Sequence, residues 1–250
     1  MNKSVLTRVN VLGCPMDIGT MKDTVSVIAD RVENKIFTQH VAVNVAKVVN
    51  MEKDPVLSES VKTCDIINID GMGLVFGGRL LGYDIVERVA GVDLFHHLLE
   101  MSSEKGFPVF LLGATDQIVS ATHEKVQLLY PNLIVAGHHH GYFWDDEKAV
   151  VNKIKDSGAR LLFVAITSPK KENFINKWKN DLGVDFVMGV GGTFDVVAGK
   201  VKRAPLWMQD SGLEWLYRVV QEPRRMWKRY FFTNVKYFWM LVISIIKMNK

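Results

Sequence analysis

Between Asp65 and Leu94 the chain reads DIINIDGMGLVFGGRLLGYDIVERVAGVDL, passing from a buried-strand pattern through glycines to Arg88. Ile66, Ile67 and Ile69 form a short β-rich apolar run, and Asp70-Gly71 stands where such a strand must stop. In open α/β sheets the ligand crevice lies beyond the carboxyl ends of the strands, so a carboxylate at position 70 would face a substrate. An Asp-Gly pair also closes turns for purely conformational reasons, and that plainer use stays open. Two other groups of residues suggest chemistry and fail on geometry. His138, His139 and His140 are consecutive, so on an extended strand they point to alternating faces and cannot converge on one metal ion. Gly71-Met-Gly73-Leu-Val-Phe76, with Asp93 further on, imitates a dinucleotide-binding fingerprint, but Phe76 stands where the third glycine is needed for close helix–strand contact. An NAD-dependent oxidoreductase is therefore disfavoured.

The elements that must position Asp70 follow from periodicity. Val9 to Leu12, His40 to Asn44 and Ile66 to Asp70 read as strands, separated by helices over Met21–Asn34 and Ala46–Thr63, with Pro55 opening a second helix inside the latter. After a short helix near Leu74–Leu81 and a loop carrying Arg88, Asp93 is expected to cap the helix running from Leu94 to about Lys105. Strands at 108–112, 133–136, 160–166 and 185–190 then alternate with helices at 116–130, 145–156 and 169–180. Such alternation with short connections predicts a mostly parallel sheet covered by helices on both faces. The segment GGTFDVVAGKVKRAPLWMQDSG reads as one long irregular loop, a kind that usually carries function. Ser211-Gly-Leu-Glu214 reads as a capping box for a following helix, which Pro223 ends before starting another.

Composition limits the remaining choices. A chain of 250 residues with 48% hydrophobic side chains can bury a full core. Cys14 and Cys64 are too few for a disulfide framework, and MNKSVLTRVN lacks the apolar run of a secretory signal, so a cytoplasmic location is expected. The net charge of +4 is small, with no pattern for nucleic acid, but seven Lys or Arg and no acid fall between Pro223 and Lys250.

Several blocks together resemble a known family: Asn44, the DGMG of Asp70–Gly73, ERVAGVDL from Glu87, FLLGA from Phe110, YPNL from Tyr130, SPKKE from Ser168, GVGGTFDVVAGKVKRAP from Gly189 and GLEWLYRVVQEPRR from Gly212. In consistent order from Asn10 to Arg229, they are similar to the WecG/TagA/CpsF glycosyltransferases. The resemblance implies a Rossmann-like, inverting enzyme without metal or other cofactor. It would move a hexose, N-acetylmannosamine, its uronic acid or glucose, from a UDP-sugar to a polyprenyl-diphosphate-linked saccharide in bacterial surface-polysaccharide synthesis. It makes Asp70 the general base toward the acceptor hydroxyl, Arg88 a partner for the leaving diphosphate, and Asn44 a hydrogen-bonding group toward the sugar. Gly71 and Asp93 would border the substrate. Gly191, Gly192 and Asp195 would lie at the nucleotide, with Tyr142 available to pack on uracil. A sugar-nucleotide-binding protein without catalysis is the alternative, and homo-oligomer formation stays open.

Two positions depart from the family pattern. Ala42 stands where many members have threonine, and Lys171 where they have glutamine, a gained ammonium able to pair with a phosphate or a uronic carboxylate. Both leave the donor sugar open. The expected organisation is a core over residues 1–210 and a helical appendage over 211–250. Arg218, Arg224 and Arg225 of the appendage would, by resemblance, close over the UDP diphosphate. Its helical projection places Arg225, Arg229 and Lys236 opposite Trp227, Tyr230, Phe231, Phe238 and Trp239. The ten-residue apolar run Tyr237–Ile246 is shorter than the ~20 residues of a bilayer span, so peripheral attachment to the inner face of the cell membrane, through anionic lipid, is expected.

Overall fold

In the computed structural model, which describes residues 5–248, the chain opens on a hairpin of β1 (Thr7–Val11) and β2 (Cys14–Ile18). The sequence pattern predicts one strand here, because the turn Leu12-Gly13 lacks the usual Asn-Gly or Asp-Gly signal. Leu12 nevertheless takes a left-handed φ of 54° and Gly13 one of 79°. Next come α1 (Met21–Glu33), β3 (Thr38–Val43), α2 (Val45–Met51), α3 (Pro55–Lys62) and β4 (Ile66–Ile69), with Pro55 opening α3 as expected. The chain continues through α4 (Met72–Leu80) and α5 (Gly91–Lys105) to β5 (Val109–Gly113). Regular alternation carries it on through α6 (Asp116–Leu129), β6 (Val135–His139), α7 (Glu147–Asp156), β7 (Leu161–Ala165), α8 (Lys170–Trp178) and β8 (Phe186–Gly189). Helices α9 (Thr193–Val197), α10 (Leu206–Asp210), α11 (Glu214–Gln221) and α12 (Pro223–Met248) complete it.

All eight strands join one sheet in the order β1-β2-β4-β3-β8-β7-β5-β6, with every neighbouring pair parallel except the β1–β2 hairpin. Alternate residues of each strand feed opposite cores, as period-2 geometry demands. Leu111, Phe163 and Met188 pack with Phe95 of α5 and Phe194 of α9, whereas Leu112, Val164 and Val187 pack with Ile154 of α7 and Phe174 of α8. The expected parallel sheet with helices on both faces is thus observed. Because the strands are parallel, the chain segments after β3, β4, β7 and β8 emerge along one edge.

Three local expectations are corrected. Asp93 is not the cap of α5: the N-cap is Ala90, and Asp93 lies inside the first turn. The capping box at Ser211–Glu214 does not form, since α11 starts at Glu214 with Leu213 as an N-cap lacking a side-chain bond. The Glu214 carboxylate is drawn to arginines instead. Within the glycine-rich segment, Thr193–Val197 forms a short helix where an irregular loop is expected.

The 26 residues of α12 form one helix, ~39 Å long at 1.5 Å per residue. By length and composition Met226–Met248 could cross a membrane, so the ten-residue run underestimates the apolar length available. Tyr237 and Leu241 are buried in the core cluster that includes α2 and α4. Tyr237 Oη donates to Gly73 O at 3.1 Å, and a Cβ at Gly77 would overlap that hydroxyl, so this glycine admits the helix. Lys236 pairs with Glu52 at 2.6 Å. Trp227, Phe231, Phe232, Phe238, Trp239, Ile243 and Ile246 stay exposed.

Candidate active site

Asp70 follows the last residue of β4, and its backbone N–H donates to Val43 O at 2.8 Å, so the ends of β3 and β4 are tied together. Its carboxylate accepts from Gly91 N at 3.1 Å, and a Cβ at Gly91 would lie 4.0 Å from Asp70 Oδ2. This holds Asp70 against the start of α5 without capping that helix. Asn44, after β3, caps α2 by accepting from Lys47 N at 3.1 Å, which leaves its NH₂ donors for other partners. Asp70, Gly71, Asn44, Arg88 and Arg218 all line one cavity of about 440 Å³. One wall is the β3–β4 edge with the N-terminus of α4, and the other is built by Trp215 of α11 and by Tyr230, Asn234, Tyr237 and Phe238 of α12.

The cavity's arginines are held by carboxylates. Arg88 Nη1 donates to Glu214 Oε2 at 2.8 Å, and Arg218 Nη2 reaches Glu214 Oε1 at 3.5 Å. Arg88 is therefore paired neither with Glu87 nor with Asp84, the surface carboxylates beside it in the chain. Arg203 makes a two-point pairing with Asp93, Nη2 to Oδ2 at 2.7 Å and Nη1 to Oδ1. Burial raises the Asp70 pKa above the ordinary carboxylate value; the Gly91 N–H, Arg88 and Arg218 oppose the rise, while Glu214 adds to it. Burial alone would raise Asp93 too, but Arg203 outweighs it and holds Asp93 low. A raised pKa makes Asp70 a stronger base than a surface aspartate, and a depressed one makes Asp93 a fixed anion.

Other expected site residues fall elsewhere. Lys171 is buried in a triad in which Glu172 Oε1 accepts from Lys47 Nζ at 2.8 Å and from Lys171 Nζ at 2.7 Å. Burial would lift the Glu172 pKa, but the two ammonium groups hold it at about 2. Lys171 lies over Gly189 of β8 and does not line the cavity. Tyr142 is exposed beyond β6, also off the cavity wall. Gly191 and Gly192 follow β8, the neighbour of β3, in open space, while Asp195 pairs with Lys200 at 3.3 Å. Arg224 is exposed at the start of α12, and the side chains of Arg225 and Arg229 lie outside the described residues. Ala42, partly exposed in a central strand, would lie 3.7 Å from a Cβ on Gly91. The histidines divide as alternation requires: His138 meets His123 of α6 at a tilt, whereas His139 meets Phe143. Among the described residues no group of three His, Cys, Asp or Glu is placed to hold a metal ion.

Sequence reasoning misses Arg203, Glu214, Trp215, Asn234 and Tyr237 as wall residues. Arg203 and Glu214 both lie in long blocks that carry the family resemblance, and that was their only signal. Residues 9–250 match the model of the glycosyl transferase WecG/TagA/CpsF family. The chain is also 36% identical over 177 residues, 71% of its own length and 68% of the other, to a Bacillus spizizenii protein named N-acetylglucosaminyldiphosphoundecaprenol N-acetyl-beta-D-mannosaminyltransferase.

Proposed function

Since the chain belongs to the WecG/TagA/CpsF glycosyltransferase family, we propose that it moves a hexose from a UDP-sugar onto a polyprenyl-diphosphate-linked saccharide with inversion at the anomeric carbon. The observation that carries this reading is the cavity itself: a carboxylate with a raised pKa faces arginines across a space walled by aromatic side chains. In the proposed step an acceptor hydroxyl oxygen attacks the anomeric carbon while the bond from that carbon to the phosphate oxygen breaks. The hydroxyl proton passes to Asp70, and UDP leaves with the bonding electron pair. One base suffices for such a single displacement, whereas retention would call for a second, nucleophilic carboxylate. Charge developing on the β-phosphate meets Arg88 and Arg218, with the N-terminus of α4 at Gly71 adding a favourable dipole. Guanidinium groups can supply this stabilisation without a divalent ion.

The donor named for the Bacillus relative, an N-acetylmannosaminyl group, is the first candidate for this chain, and a diphosphoundecaprenol-linked N-acetylglucosamine the first candidate acceptor. Incubating purified protein with a panel of UDP-hexoses, with and without lipid-linked acceptor, tests the reading. Acceptor-dependent UDP release is expected, and its absence with every pair would overturn the assignment.

Residues 211–250 are proposed as an appendage that docks the enzyme on the membrane where the lipid acceptor lies. Support comes from exposed Trp227, Phe231 and Phe238, which recur on one face of α12, together with exposed Trp239 and with exposed Trp207, Leu216 and Val220 on α10 and α11. Aromatic groups favour the headgroup level, and each nearby Lys or Arg adds ~1 kcal/mol on anionic lipid. Docking of Tyr237 and Leu241 on the core favours α12 lying along the surface over crossing the bilayer. Replacing Trp227, Phe231 and Trp239 by serine is expected to abolish sedimentation with anionic liposomes, and full sedimentation by that variant would refute the docking face.

A further inference from the structure

Arg203 comes from the irregular segment between α9 and α10, yet its guanidinium reaches the wall of the cavity that holds Asp70, Arg88 and Arg218. Its backbone is pinned on both sides: the side-chain Nε2 of Gln209 donates to Ala204 O at 2.7 Å, and that of Gln221 to Lys202 O at 3.1 Å. Asp93, fixed in the first turn of α5, takes one hydrogen from each Nη and so sets the plane of the guanidinium. That pairing leaves three of the five donors: one on each Nη, and Nε–H. The Arg203 side chain is 24% exposed and lines the cavity, so part of it is open to a ligand. Nε is enclosed and has no hydrogen-bond partner, leaving the guanidinium under-satisfied by the protein alone. A small shift toward the cavity would bring Nε–H and an Nη hydrogen onto two oxygens of one phosphate, a spacing that a guanidinium matches and an ammonium does not.

We infer that Arg203 is a diphosphate-binding residue of this site, aimed by Asp93, which acts as a positioning residue and not as a substrate contact. The assignment rests on the reading of the cavity given above. It also accounts for the only two-point ion pair on the cavity wall among the described residues. The proposed reaction has two diphosphates, that of the nucleotide donor and that of the lipid-linked acceptor, and Arg203 has donors suited to either.

Titration calorimetry on the full chain separates these sources, with UDP and farnesyl diphosphate as probes and uridine as the control without phosphate. Arg203→Gln should weaken one diphosphate probe at least ~10-fold, the scale of a charged hydrogen bond, and leave uridine unchanged. Loss for UDP places Arg203 on the donor, and loss for farnesyl diphosphate places it on the acceptor. Asp93→Asn should weaken the same probe less than Arg203→Gln, because the guanidinium remains; equal losses would mark a merely structural ion pair and overturn the proposal. Wild-type affinity of Arg203→Gln for both probes would overturn it as well. If Arg203→Gln does not fold, nitrogen-15 NMR of the wild-type Arg203 Nε–H decides. A shift of that signal on adding either probe, absent with uridine, is expected, and an unmoved signal refutes the contact. Wild-type protein that binds neither probe would instead refute the donor and acceptor reading of the cavity itself.

Discussion

At two places in the molecule one glutamate bridges two cations, and the two bridges have different surroundings. Glu172 lies between Lys47 and Lys171 with side chains only 4%, 8% and 8% exposed. Glu214 lies between Arg88 and Arg218, at 20%, 13% and 41%, on the wall of the 440 Å³ cavity. Beside the lysine triad there is room for about 10 Å³, the scale of a single water. Sealed charges cannot exchange partners, so the lysine triad is scaffold. Charges beside an open cavity can trade one anion for another, and a diphosphate is among the anions that a guanidinium suits.

The largest effect expected from testing this contrast is at Asp70. Asp70→Asn should lower kcat ~100-fold to 10,000-fold while leaving UDP affinity largely intact, since the base acts on the acceptor. The same change should raise the melting temperature at neutral pH. A folded-state pKa above the unfolded value means that ionised Asp70 burdens the native state, and the burden disappears as pH falls through that raised value. An Asn variant with wild-type kcat at saturating acceptor would remove Asp70 from the mechanism.

Next in size is the stability cost of breaking each bridge. Glu172→Gln removes the buried negative charge shared by two buried ammonium groups and should cost ~3–5 kcal/mol in urea unfolding, whereas Glu214→Gln, partly exposed, should cost under ~1 kcal/mol. Equal costs would erase the distinction drawn between scaffold and site. The Glu172 pKa, held at about 2, also fixes a direction with pH. Its contribution is complete above the ordinary glutamate value and is lost as pH falls toward 2, so acid unfolding of the wild type should include this loss and the Gln variant should lack it.

A smaller effect sharpens the comparison on the cavity side. Glu214 raises the Asp70 pKa, so Glu214→Gln should move the acid limb of the kcat/KM profile to lower pH. Movement to higher pH would mean that loosening of Arg88 outweighs the removed negative charge. The smallest expected effect is none: EDTA should leave the rate unchanged if guanidinium groups alone meet the diphosphate. Loss of activity in EDTA, restored by Mg²⁺ or Mn²⁺, would show that they do not.

The amino-acid sequence by itself determined the βαβ alternation, the parallel sheet, the two-helix reading around Pro55 and the place of Asp70 at a strand end. Each depends on periodicity or punctuation within a few residues, which survives without knowledge of the fold. The family resemblance reached further, to Arg88, Asn44 and Arg218 as companions of Asp70. Only the tertiary structure decided which charges meet. Arg88 finds Glu214 126 positions away, Arg203 finds Asp93 at 110, and Lys47 finds Glu172 at 125. Local rules instead cast Asp93 as a helix cap and Glu214 as half of a capping box, and comparison with the family pattern cast Lys171 as a ligand for substrate. The physical reason is that a carboxylate's partner is set by which guanidinium or ammonium the packed helices bring within about 3 Å in a low-dielectric setting. Local caps are worth only ~1 kcal/mol and give way to such pairs.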